Sequence, residues 1–402
     1  MVESLKKLSA LLPGDESDGN YRNLDSIQAS DRTRVNQCSL SQVRLLTYNI
    51  FLRPPLIKTN KDDYKNARMN EFINLLDNYD IICLQEALGF WNRRKQSLIK
   101  LAQEKGVAYF CESPNPPMFS AYISDGGLLI LSRLPIVKSR FRAYPYSILA
   151  DGAAMKGVLY AKIAVGSHHI HVFTTHTQAT HGGKYDLETY VARGDQLLAF
   201  RKFLDEVLEK EFIEGDVAML CGDFNVDARN PYFNAKELKI DYRPLELYQL
   251  PLRKGYCNEY QSMLAILSKN HEDKIVDVVF ESLGIFPPTY GVSRIGPDGT
   301  EEPDEVVLTH AVDYCTNLCL DYIFQITPKE MKSIDFLPPE VQLAKKSSLL
   351  RVKEKASRVE QFYVQHPQVT QLSDHFGLVT TIEMVPCPSK ESLTNGIILD
   401  FN

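Results

Sequence analysis

The 402-residue sequence has no apolar run approaching the ~18–20 residues that cross a bilayer, no Cys-x-x-Cys pair and no repeat of fixed period. A transmembrane helix, a zinc knuckle and a solenoid are therefore excluded as readings. Basic excess is absent as well: the net charge is -6, with pI near 5.9, so the broad positive footprint of a dedicated nucleic-acid binder is not there. Glu3, Lys6 and Lys7 interrupt the apolar residues of Met1 to Leu12, so no signal peptide is expected. The eight cysteines are scattered, and Cys83 and Cys221 fall inside apolar strands, which suits buried thiols in a reducing compartment. What the chain does have is 44% hydrophobic and 24% charged residues, enough to build a sizeable soluble core.

The most informative stretch is Val217 to Val226, an apolar strand running into Gly222-Asp223-Phe224-Asn225. A strand of this kind carries Asp223 and Asn225 to the edge of a sheet, two residues apart and facing one way. An ordinary strand ending in an Asx turn is the alternative. Similar strands recur along the chain. Val43 to Ile50 delivers Asn49, Ile81 to Glu86 ends in a carboxylate, and the expected hairpin of Val158–Val165 and His169–Thr175 leads to His176 and Gln178. Leu320 to Phe324 contains Asp321, and Ser373-Asp374-His375 opens a last strand through Ile382.

Helical spacing is expected over Asn66–Tyr79, Phe90–Glu104, Leu187–Phe212 and Glu259–Leu267. Helices alternating with apolar strands give the rhythm of an α/β fold. The domain reading is an N-terminal extension over 1–42, one catalytic domain over 43–385 with an insertion at 328–371, and a tail over 386–402.

Polar groups at successive strand ends form a constellation: Asn49, Glu86, His176, Asp223, Asn225, Asp321, Asp374 and His375. Oxygen donors without a thiol-imidazole cluster point to a hard divalent ion, Mg²⁺ or Mn²⁺. A phosphate ester is the matching target: the ion polarises a phosphoryl oxygen, and a histidine held by a carboxylate takes the proton of an attacking water.

Thr47-Tyr48-Asn49, Gln85-Glu86, Gly222-Asp223-Phe224-Asn225, Leu320-Asp321-Tyr322 and Ser373-Asp374-His375, in that order, resemble the endonuclease/exonuclease/phosphatase superfamily. Thr175 to Ala179, Lys156 to Lys162 and Gly127 to Arg133 are most similar to neutral sphingomyelinases of the bacterial type. The resemblance implies a four-layer α/β/β/α sandwich of DNase I-like type. It implies Glu86 as principal metal ligand, with Asn49 beside it and Asp374 as a further ligand or support. His375 would be the general base, oriented by Asp321; Asp223 and Asn225 would position the phosphate and leaving oxygen, and His176 would stabilise the developing charge. Asp151 and Lys156 match a loop whose Asp-Lys pair is linked in sphingomyelinases to switching, a surface ion pair being the alternative. The implied activity is release of phosphocholine and ceramide from sphingomyelin, with nuclease or phosphoinositide phosphatase as the runner-up and a non-catalytic binding protein last. No nucleic-acid partner and a monomer are expected, and the compartment stays open between cytoplasmic and membrane-peripheral. Residues 227–239 and 291–309 fit the family poorly, and His181 reads as a loop histidine outside the site.

Bacterial sphingomyelinases carry an apolar, membrane-touching hairpin just before the same Ser-Asp-His motif. Here Pro338 to Gln365 stands in its place, read as a helix with Lys345, Lys346, Arg351, Lys353, Lys355 and Arg358 among Leu343, Leu349, Leu350, Val352 and Val359. Such a helix either packs its apolar side on the sandwich or brings the site to a lipid surface.

Overall fold

The computed structural model describes residues 41–55, 57–180, 187–229, 232–234 and 256–387. The strands, in chain order, are β1 (Gln42–Leu52), β2 (Ile81–Ala87), β3 (Tyr109–Glu112), β4 (Leu129–Ser132), β5 (Ile136–Ala143), β6 (Gly157–Val165), β7 (His168–His176), β8 (Val217–Asp223), β9 (Tyr232–Asn234), β10 (Tyr256–Asn258), β11 (Lys274–Asp277), β12 (Ser293–Ile295), β13 (Glu301–Pro303), β14 (Asp321–Thr327), β15 (Ser348–Val352), β16 (Arg358–Glu360) and β17 (Gly377–Pro386). The helices are α1 (Lys65–Leu75), α2 (Arg94–Glu104), α3 (Leu187–Glu211), α4 (Glu259–Leu267), α5 (Val278–Leu283) and α6 (Pro339–Ser347).

Two mixed sheets dominate. One runs β15-β17-β1-β2-β4-β3 with β16 on β17, the other β11-β14-β8-β7-β6-β5. Strand alternation explains how they stack. On β1, Val43 and Leu45 face the second sheet, where they meet residues such as Leu159, Val172, Met219 and Ile323 in one apolar cluster. Leu46 and Tyr48 point the other way, onto Phe72 and Ile73 of α1 and Leu98 of α2. The second sheet likewise turns Tyr160, Phe173, Leu220 and Phe324 toward Phe200, Phe203 and Val207 of α3 and Met263 of α4. Three buried clusters between four layers make the expected α/β/β/α sandwich.

Several boundaries differ from the sequence reading. The expected helix from Phe90 starts at Arg94, leaving Phe90 and Trp91 in a loop with their rings stacked 4.8 Å apart. Strand β5 leaves no apolar signal, because Lys138, Arg140 and Arg142 break its pattern; it is an edge strand, and Lys138 and Arg142 pair with Glu211 (2.5 Å) and Glu206 (2.8 Å) of α3. The extension over 1–42 lies outside the described residues except for 41 and 42, as does His181, and so does the tail beyond Cys387.

The largest correction concerns Pro338 to Gln365. Only Pro339–Ser347 is helical; Ser348–Val352 and Arg358–Glu360 are strands laid on β17. Lys345 is no surface residue. Its Nζ is buried 2.6 Å from Asp216 Oδ1 and within 3.4 Å of His168 Nδ1, while Asp216 also faces His171 Nε2 at 3.3 Å. Asp216 immediately precedes β8, whose far end carries Asp223. At about 3.3 Å per residue, roughly 20 Å of strand separates the helix anchor from the candidate site. Burying Lys345 and Asp216 together, with histidine and carbonyl partners, offsets a desolvation cost that neither charge could bear alone. Lys345→Met should therefore cost about 3–5 kcal/mol in urea unfolding, because Asp216 is left buried with histidines only. A change below about 1 kcal/mol would show that the pair contributes nothing to holding the inserted segment.

Candidate active site

Parity along the strands assembles the site. The face of β8 that packs on the opposite sheet carries Val217, Met219 and Cys221, and next in phase comes Asp223. On β7 the same face runs Ile170, Val172, Thr174, His176; on β14 it holds Ile323 and Asp321; on β1 it runs Val43, Leu45, Thr47, Asn49. Gln85 Nε2 reaches across from the first sheet to Thr174 Oγ1 at 2.9 Å, closing the polar end of the dry inter-sheet core. His176, Asp223 and Asp321 stand opposite one another in register across three adjacent strands. The close approach depends on Gly222, where φ is +138° and a Cβ would lie 2.1 Å from the Thr175 carbonyl oxygen.

Glu86 breaks parity. Its φ is +55°, and the register of β1 against β2 shifts between Asn49 and Leu52, so the carboxylate swings to the Asn49 amide at 3.2 Å instead of following Ile82 and Leu84 toward the helices. The expectation that Asp223 and Asn225 face one way by strand alternation does not apply, since β8 ends at Asp223 and Asn225 has φ +51°. Asn225 is held instead by its N–H donating to Asp223 Oδ1 at 3.0 Å and its side chain donating to the Thr177 carbonyl at 3.2 Å.

His375 lies at the centre. Its Nδ1 is 2.9 Å from Asp321 Oδ2, and its Nε2 is 3.7 Å from Asp223 Oδ2, which in turn is 3.5 Å from His176 Nε2. Burial alone would depress the imidazole, but Asp321, Asp223 and Asp374 outweigh it and lift its pKa to about 10. Burial also raises Asp223, opposed by His375 and reinforced by Asp321, and lifts Asp374 to about 7, opposed by His375 and reinforced by Glu86. These groups crowd negative charge into a buried end of the sandwich, and one imidazolium compensates it only in part.

Asp151 and Lys156 form no surface pair. The Lys156 ammonium is buried, 2.9 Å from Asp151 and donating to the Thr177 carbonyl at 2.7 Å; Asp151 accepts the Ala179 N–H at 2.7 Å. The pair thereby fastens the 149–153 turn to the chain just past His176.

Some contributors were invisible in the sequence. Tyr290 packs its ring 4.9 Å from that of His375 and donates its hydroxyl to Asp313, and Thr289 Oγ1 accepts the Leu320 and Asp321 N–H groups. Both sit beside a Pro/Gly/acid-rich loop with no periodicity to mark them. The role of Ser373 has no sequence signal beyond the Ser-Asp-His motif; its hydroxyl donates to the Asn49 carbonyl at 2.6 Å and joins β1 to the Asp374-His375 turn.

Residues 46–375 match the endonuclease/exonuclease/phosphatase family. The chain belongs to that family. It is accordingly an enzyme, a metal-dependent phosphodiesterase. A sphingomyelinase of Dictyostelium discoideum is 31% identical over 366 residues, 83% of this chain and 77% of that one. Sphingomyelinase C of Bacillus cereus is 24% identical over 220 residues, 52% of this chain and 63% of that one. Two solved structures share the family fold: a beta toxin of Staphylococcus aureus with bound magnesium ions, at TM-score 0.54 and 18% identity over 84% of this chain and 99% of that chain, and sphingomyelinase C of Streptomyces griseocarneus, at TM-score 0.53 and 20% identity over 85% and 99%.

The donor set fits a hard cation. Glu86 Oε2 and Asp321 Oδ1 are buried acceptors with no hydrogen-bond partner, which is costly unless something positive meets them. Asp223, Asp321 and His375 also bring ligand atoms within 4.8 Å of one another, but His375 and Asp321 satisfy each other, so the orphaned Glu86 oxygen with Asp374 beside it is the better anchor. Asn49 fits less directly. Its amide NH₂ lies between Glu86 and Asp223, at 3.2 and 3.0 Å, while its Oδ1 accepts the Phe51 N–H. It acts here as a donor joining two carboxylates. Saturating Mg²⁺ should raise the melting temperature of the metal-free protein by mass action, about 2.7 kcal/mol at a hundredfold excess over Kd, and Glu86→Gln should abolish that rise. An equal Mg²⁺-induced rise in the variant would remove Glu86 from the ligand set.

Proposed function

We propose that the chain hydrolyses sphingomyelin at the ceramide-side P–O bond, giving ceramide and phosphocholine, with Mg²⁺ (or Mn²⁺) as its ion. The observation that carries this is the buried row His176, Asp223 and Asp321 with His375 locked on Asp321, facing Glu86 and Asn49 across the mouth of the sheets. The Dictyostelium discoideum relative, matched along most of both chains, supports the substrate. A bound divalent ion would polarise the phosphoryl oxygen, offset its gathering charge and, by neutralising carboxylates, loosen their hold on the His375 proton.

The residues supply the rest. Asp321 fixes the imidazole through Nδ1, leaving Nε2 to take a proton from water as its oxygen bonds to phosphorus. His176, at the end of β7, donates to the oxygen on which charge accumulates. Asp223, whose buried carboxyl holds a proton more readily than an exposed one, returns a proton to the departing ceramide oxygen. Asn225 and the Asp151–Lys156 pair meet at the Thr177 carbonyl and keep this end of the chain in place.

Hydrolysis in ¹⁸O-water should place one label in phosphocholine and none in ceramide. His375→Ala should lower kcat by at least ~10²-fold with its unfolding transition intact. Inorganic phosphate from phosphoinositides, or cleaved DNA, with sphingomyelin untouched would transfer the reading to a phosphatase or nuclease.

A further inference from the structure

The loops around the site carry an unusual set of side chains. Phe119, Met118, Trp91 and Leu149 are 98, 82, 74 and 65% exposed, and Ile123 is 57% exposed. Scattered apolar residues on a surface need no explanation. These are not scattered. Trp91 follows β2, the strand that ends in Glu86; Met118, Phe119 and Ile123 lie between β3 and β4; Leu149 lies between β5 and β6. Register puts all three loops at the site end: Leu84 faces Leu129 at the start of β4, and Val158 at the start of β6 faces Thr175 beside His176.

Backbone geometry marks three of these residues. Trp91, Phe119 and Leu149 have φ of +52°, +69° and +54°, left-handed values that bulky side chains avoid and that cost free energy. Two sit at tight turns. The Asn92 N–H donates to the Gly89 carbonyl and the Ser120 N–H to the Pro117 carbonyl, so Trp91 and Phe119 occupy the third turn position, which normally falls to glycine or asparagine when φ is positive. An aromatic ring stands in each case where glycine would be cheaper.

The loops are tied to one another. The buried Lys95 ammonium is 2.9 Å from Asp125, whose carboxylate accepts the Gly89 and Gly127 N–H groups. The Ile123 N–H donates to the Ala153 carbonyl and the Met155 N–H to the Ser124 carbonyl, joining the second loop to the third. Residues 87–92, 113–124 and 143–150 contain no Asp, Glu, Lys, Arg or His, and the first of these loops ends in the exposed Arg93.

We propose that this tethered apolar rim is where the enzyme docks on a neutral, choline-headgroup lipid bilayer, with Trp91, Met118, Phe119 and Leu149 entering the headgroup region. The occupant follows from the chemistry of the surface and its continuity with the site. Aromatic and aliphatic tips without charge suit a zwitterionic interface, gain nothing from anionic lipid, and stand on the loops that border the cleft receiving the phosphodiester. This inference rests on the function proposed above, and it replaces the basic segment near Lys345 as the membrane-facing element.

Trp91 is the only tryptophan of the chain, so its fluorescence reports this rim alone. The full-length protein is mixed, without Mg²⁺, with vesicles of a phosphatidylcholine that it does not hydrolyse. The emission should shift to the blue and be quenched by brominated acyl chains, and raising NaCl from low to high should leave binding within about twofold. Met118→Ser/Phe119→Ser/Leu149→Ser, which keeps the reporter, should weaken vesicle partition at least tenfold while turnover of a soluble short-chain choline phosphodiester stays unchanged. An unshifted Trp91, or partition equal in variant and wild type, overturns the proposal; so does a dimer that the triple variant splits with vesicle binding intact, since the rim would then serve a second copy. Vesicle binding without hydrolysis of any choline lipid would leave the rim standing and remove the proposed substrate, so the two failures are distinguishable.

Discussion

Mutual repulsion among the carboxyl groups of Glu86, Asp223, Asp321 and Asp374, held where apolar packing excludes water, is the constraint that the rest of the site answers. Two donors are turned toward it. His375 sits between Asp321 and Asp223, and the Asn49 amide between Glu86 and Asp223. Arg53 adds a further positive influence on Asp374, and Lys156 on Asp223. Two carboxylate oxygens still lack partners. In a low-dielectric surrounding such orphans cost more than exposed ones would, so the arrangement stores affinity for a small, highly charged cation.

Strand parity made much of this legible in the sequence. β1, β7 and β8 are buried on both faces, which is why they read as near-continuous apolar runs, and Asn49, His176 and Asp223 share the phase of the residues packed between the sheets, so their convergence follows from alternation once the stacking of the two sheets is known. Alternation stops being informative where the backbone leaves the extended region. Glu86 and Asn225 both have left-handed φ, and their aim was set by a bulge and by the Thr177 carbonyl, neither of which shows as a sequence pattern. Tyr290 could not be found at all from the chain, because its contact with His375 joins segments 85 residues apart through an irregular loop.

Lys345 illustrates the opposite failure. A mixed basic and apolar segment reads as a solvated or membrane-facing helix, since lysine is rarely buried. Burial of Lys345 becomes affordable only because Asp216 and the 168–171 histidines wait for it at the start of β7 and β8. Pairing over 129 residues of chain leaves no local trace, and it fixes Lys345 and its helix at the pole away from Asp223, while β16 of the same segment pairs with the start of β17 beside His375.

That polarity bears on which phosphodiester reaches the site. A nucleic acid approaches through its backbone, and each phosphate it presents is met by Lys or Arg, giving binding that falls steeply with salt. Three described loops bordering this cleft offer the reverse: 87–92, 113–124 and 143–150 are uncharged, the Asp151 and Lys156 charges cancel against each other, and Lys95 pairs with Asp125. Arg93 is exposed beside Trp91, and Lys58 and Lys61 are exposed on the loop that follows β1. A long polyanion would meet apolar tips at the three uncharged loops and lose hydration there without gaining counter-charges. A neutral lipid headgroup loses nothing by the same contact, because its phosphate carries its own ammonium and its neighbours are hydrocarbon. On the proposed function, these uncharged loops would favour a neutral lipid headgroup over a polyanion, a distinction that a divalent ion bound at the carboxylates would not make by itself.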